Sequence, residues 1–87
     1  MHDLFLNDKD RLKEWARRRR YHRTSDILRW GVDNHSNRAN RNKQLLVQEG
    51  FFRHIVGEEK ERLFGLINED AYECMEYQAL SGKSEAA

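Results

Sequence analysis

Thr24-Ser25-Asp26-Ile27-Leu28-Arg29-Trp30-Gly31-Val32 opens the stretch whose reading decides the fold. Thr24 or Ser25 can accept the orphan amide hydrogens of a helix start, and Ile27, Trp30 and Gly31 share one helical face. Gly31 is expected to end this helix, because glycine tolerates the left-handed backbone of a sharp turn. Next comes Asn37-Arg38-Ala39-Asn40-Arg41-Asn42-Lys43-Gln44-Leu45-Leu46-Val47-Gln48-Glu49-Gly50. It reads as a second helix, capped by Ser36 or Asn37 and stopped by Gly50. Phe51–Val56 and Arg62–Ile67 then form two short apolar-rich runs around Gly57-Glu58-Glu59-Lys60-Glu61, the pattern of an antiparallel hairpin.

The flanks read as support. Upstream, Asn7 and Asp8 are good caps, and Leu12, Trp15 and Ala16 recur at helical spacing, which predicts a helix from Asp8 to Arg20. Tyr21-His22-Arg23 is expected to form a short strand that pairs with the hairpin. Downstream, Asn68-Glu69-Asp70 suits a helix start and Gly82 a stop, with Ala71, Tyr72, Cys74, Met75 and Ala79 as an apolar stripe. Such a stripe either packs on its own domain or forms a homodimer helix. Leu4-Phe5-Leu6 is a brief apolar lead-in. The expected class is mainly α with a small β-hairpin (α+β): a three-helix core and hairpin over residues 1–67, a C-terminal helix over 68–82, and a tail over 83–87.

A chain of 87 residues suits one small domain with a marginal core, so dimerisation through an added element would be unsurprising. Cys74 is the only cysteine, which excludes an intrachain disulfide. No apolar run reaches the roughly 18 residues of a membrane span, and the amino terminus lacks the layout of a signal peptide. The expected compartment is the cytoplasm, with no membrane partner. His2, His22, His35, His54 and Cys74 have spacings that match no metal motif, and no phosphate-cradling glycine loop occurs. Glu58, Glu59 and Glu61 sit on a hairpin tip, where burial to shift their pKa values is not expected. These features point away from an enzyme, a metal or a cofactor.

The net charge of +1 conceals an asymmetry. Met1–Val56 holds 13 Lys and Arg against 7 Asp and Glu, whereas Gly57–Ala87 holds 3 against 8. A basic front suits a polyanion. At 100° per residue, Ala39, Asn42 and Leu46 fall on one side of the second quoted helix, and Asn37, Asn40, Arg41, Gln44 and Gln48 on the other. Those side chains are the ones that read base edges in a major groove. Arg38 and Lys43 flank them as phosphate contacts, joined by Arg17, Arg18, Arg19, Arg20 and Arg23. Cations at a helix carboxyl end are the structural alternative for the Arg17–Arg20 run, and a nuclear-localisation signal is another.

Gly31-Val32 between the two helices, and Leu46-x-x-x-Gly50-Phe51-Phe52 leading out of the second, resemble the winged helix-turn-helix family of small bacterial and phage regulators. The resemblance covers roughly Asp8–Ile67. Asp33-Asn34-His35-Ser36 makes the connection longer than in the tightest versions, and Lys43 stands where the family often has leucine. The resemblance implies sequence-specific binding of double-stranded DNA and transcriptional control, usually repression as a dimer occupying an operator on the nucleoid. An accessory DNA-bending factor shares those contacts. The acidic tip at Glu58, Glu59 and Glu61 departs from the basic wing of the family and suggests a protein partner. The corresponding alternative is a winged-helix interaction module, such as a phage-encoded inhibitor of a host enzyme or defence complex.

Overall fold

Asn7 caps the first helix, α1 (Asp8–Ala16), its side chain accepting from the Asp10 amide at 2.8 Å. The structure is a computed structural model and describes residues 7–78. The lead-in at 4–6 and the tail at 83–87 lie outside the described residues. α1 stops at Ala16 rather than Arg20. The amides of Arg18 and Arg19 close tighter turns onto Trp15 and Ala16, and the His22 ring takes the carbonyls of Ala16 and Arg19 at 2.9 and 2.8 Å. The chain then enters β1 (Tyr21–Arg23), the short strand expected from the sequence.

α2 (Thr24–Asp33) begins where expected but runs through Gly31. Gly31 is therefore not the turn. A Cβ built on it would lie 2.6 Å from the Cβ of Ala39 and 3.0 Å from the Ser36 carbonyl, so the glycine permits the close approach of the next helix. The left-handed turn falls instead on His35, at φ 57°. α3 (Ala39–Gln48) has no side-chain cap, contrary to the expectation for Ser36 or Asn37. Its other end behaves as predicted: Gly50 takes φ 88°, and the Phe51 amide reaches back to the Leu46 carbonyl at 2.9 Å.

β2 (Phe52–Ile55) follows directly, matching the first hairpin run. Beyond it the expectation fails. Gly57–Phe64 is a helix, α4, and the returning strand is β3 (Ala71–Cys74) instead of Arg62–Ile67. The C-terminal helix predicted over 68–82 is thus corrected: its first part is a strand, and residues 79–82 lie outside the described residues. β3 is the centre of an antiparallel sheet in the order β1-β3-β2, with His22 opposite Tyr72 and Phe52 opposite Cys74.

The departure from the helical pattern has a physical cause. All four residues of β3 are buried. Strand alternation turns Tyr72 and Cys74, with His22 and Phe52, toward the helices, where Leu12, Ala16, Ile27, Trp30 and Leu46 complete the main core. Ala71 and Ile55 face the other side, and both are fully buried although they lie outside that cluster. α4 meets this second face at two points: Arg53 forms paired bonds to Glu59 at 3.0 and 2.7 Å, and Phe64 meets Tyr21 edge-on at 6.0 Å. A strand covered on both faces loses the polar alternation that marks strands in a sequence. Among the described residues the architecture is a small α+β fold of four helices and one three-stranded sheet.

Candidate nucleic-acid interface

α3 is held against α1 and α2 by Ala39, Asn42 and Leu46, all buried. That seating turns Asn37, Asn40, Arg41, Gln44 and Gln48 to solvent, with Arg38 beside them. None of these six side chains enters an ion pair among the described residues. The nearest carboxylate on the helix end, Glu49, is occupied by Lys9. Asn40, Arg41, Gln44 and Gln48 therefore share the exposed side of α3, with Asn37 exposed in the turn before it, and none of the five is tied to a carboxylate among the described residues.

Lys43 is different. It is 6 % exposed and its ammonium lies over the Tyr72 ring at 5.2 Å, between α3 and the sheet. The assignment of Lys43 to phosphate contact is corrected: it occupies an inward position, its stem packed and its charge set on an aromatic face.

The arginine run is also largely committed. Arg17 donates to Glu76 at 2.6 Å, Arg19 to Asp26 at 2.9 Å and Arg20 to Glu73 at 2.8 Å, while Arg23 reaches Asp26 at 3.5 Å. Arg18 alone of the five has no ion pair among the described residues. The run is tied to β3 and the segment after it, since the Arg20 carbonyl accepts from Cys74 and that of Arg17 from Gln78. Its charges serve the fold before they serve a ligand.

Two residues that the sequence pattern leaves unmarked explain much of this. Glu73 is nearly buried on the outer sheet face, where Arg20 and Arg53 both donate to it and hold its carboxyl below the usual range. Only the pairing of β3 with β1 and β2 brings these three together, so no local signal could have found them. His22 is 1 % exposed, wedged between Trp15 at 4.8 Å and Phe52 at 6.0 Å. Its Nε2–H donates to two carbonyls, leaving Nδ1 buried without a partner. Burial, aided by the nearby Arg19 charge, pushes its pKa down despite the carbonyl contacts.

On α4, Glu59 is turned back to Arg53, which holds its carboxyl low, whereas Glu58 and Glu61 are exposed. The acidic tip is thus a helix docked on the sheet and not an extended loop. Among the described residues, no helix is long and apolar enough to cross a membrane. Comparison with protein-family models, with curated proteins and with solved structures finds no match.

Proposed function

We propose that this protein binds double-stranded DNA through the exposed face of α3, in the manner of a small winged helix-turn-helix regulator. The observation that carries the proposal is the face itself: Asn40, Arg41, Gln44 and Gln48 exposed on a helix whose opposite side is locked into the core, with Asn37 exposed just ahead of it. Arginine pairs with guanine, and asparagine and glutamine with adenine, across a major groove wide enough for a helix. Arg38 supplies a phosphate contact at the same surface. The element order α1-β1-α2-α3-β2-β3 and the sheet order β1-β3-β2 are compatible with the winged-helix reading, with α4 inserted in the wing. Transcriptional repression is the role this reading implies.

Selection from random duplex DNA at near-physiological salt tests it. An enriched motif is expected, and Arg41→Ala should relax one base position at about 1–3 kcal/mol. A uniform loss on every sequence, or no enrichment with the wild-type chain, would count against base reading.

The second reading, a winged-helix interaction module, is favoured by one specific feature. α4 presents Glu58 and Glu61 beside exposed Leu63, with Val56 and Leu66 exposed at either end. An acidic, partly apolar helix suits a basic protein surface better than a phosphate backbone. Reversing the charges of Glu58 and Glu61 spares DNA binding under the first reading and abolishes activity under the second.

A further inference from the structure

A cleft of about 680 Å³ lies between α1 and α2, lined by residues of both helices and of the turn that follows α1. It shares no residue with the exposed face of α3, so a ligand site there stands or falls independently of the DNA reading. Its size falls within the range of small-molecule sites, roughly 300–1,000 Å³. The two helices run antiparallel along it. Arg19 and Asp26 pair at one end, and at the other Arg11 donates to the Asn34 carbonyl at 2.9 Å. Trp15 and Trp30 line the middle, their rings 5.8 Å apart and inclined by only 27°.

The cations around this aromatic pair divide into two kinds. Arg11 is pinned by Asp8 and Asn34 and lies over Trp30, and Arg19 is pinned by Asp26 and the Tyr21 carbonyl. Arg18, in the turn just past α1, and Arg29 on α2 both line the cleft, and neither has an ion pair among the described residues. A fold that commits most of its arginines to its own carboxylates leaves these two open in the cleft of the stacked tryptophans. Glu14 and Asp33 also border the cleft, so its charge is graded. Asp33 lies toward the Arg11 end, and the cationic end is that of Arg18.

We infer that the α1–α2 cleft is a binding site for a small aromatic anion, its ring against Trp15 and Trp30 and its carboxylate or phosphate held by Arg18 and Arg29. The planar guanidinium fork matches the two oxygens of either group, and flat rings gain from stacking on indole. The bordering acids favour a ligand with a single anionic group over one charged along its length, since like charges near Glu14 and Asp33 would repel.

Trp15 and Trp30 are the only tryptophans in the chain, so the two indole N–H signals in a ¹H–¹⁵N NMR spectrum report on this cleft alone. Uniformly labelled full-length protein would be titrated with benzoate and with AMP, each beside its uncharged counterpart, benzamide or adenosine. The expected result is a saturable shift of both indole signals with at least one anion, and binding at least tenfold weaker for its neutral counterpart. A response to benzoate alone assigns the site to carboxylates, one to AMP alone to nucleotides, and both to aromatic anions generally. Arg18→Ala/Arg29→Ala should weaken the anion at least tenfold while leaving the backbone spectrum dispersed. Absence of any saturable shift to millimolar concentration, equal binding of the neutral counterparts, or indifference to the double substitution would overturn the inference.

Discussion

Gly31→Ala is the substitution that most directly tests how α3 is positioned. In an ordinary helix interior, glycine to alanine stabilises by roughly 0.5–1 kcal/mol, because alanine loses less backbone entropy on folding. Here the new methyl would stand 2.6 Å from the Ala39 Cβ and 3.0 Å from the Ser36 carbonyl oxygen. Carbon atoms rest at about 3.5–4.0 Å, so α2 and α3 would have to separate by about 1 Å. Neither neighbour is the end of a flexible side chain, so the strain has no easy outlet. Overpacking of this kind costs about 1–3 kcal/mol. Set against the entropic gain, the net loss is at most about 2.5 kcal/mol, or roughly 10–20 °C in Tm for a domain of this size, and at the low end the two effects cancel. Urea unfolding followed by tryptophan fluorescence would measure it. The double variant Gly31→Ala/Ala39→Gly removes the closest contact and should return to within about 1 kcal/mol of the parent, a positive coupling between touching residues. A single variant that gains stability, or a double variant that merely adds the two losses, would refute the packing argument.

Other outcomes rest on the same contacts. Lys43→Met should leave the salt dependence of DNA binding unchanged, because the ammonium rests on Tyr72; a slope reduced by about one would restore it to the phosphate contacts. His22 has its pKa lowered by burial in the folded state, so its contribution to stability is full above the ordinary value of 6.5 and is lost as pH falls through the lowered value. Unfolding free energy should therefore drop between pH 7 and pH 5, and His22→Gln should flatten that drop relative to the parent; equal slopes would remove His22 as the cause. Asp26 is raised by burial but lowered further by bonds from Arg23, and Glu73 is lowered by Arg20 and Arg53, so both contribute above the usual carboxylate range and lose that contribution in acid below the histidine window. Cys74 is 2 % exposed and burial pushes its thiol up, so a thiol reagent at pH 8 should react only as fast as the protein unfolds. Rapid labelling of the native protein would contradict that burial.

Local chemistry alone determined where α1, α2 and β1 begin and where α3 ends. Asn7 caps α1, the pattern Ile27-x-x-Trp30 builds α2, and Gly50 with φ 88° ends α3 ahead of a strand. These signals act within a few residues, so they survive in one dimension. The exposed face of α3 was legible for the same reason, since helical periodicity separates Asn40, Arg41 and Gln44 from Ala39 and Leu46 without reference to any neighbour. The tertiary structure alone decided what depends on distant partners. Ala71–Cys74 is a strand because β1 and β2 flank it, and burial on both of its faces erased its alternation. Gly31 serves a helix contact because Ala39 comes to meet it. Lys43 turns inward because Tyr72 lies beneath α3, and Arg17 and Arg20 find Glu76 and Glu73 more than fifty positions away. Periodicity encodes which face of an element is apolar; which element covers that face, and which charge meets which, is settled only when the chain folds back on itself.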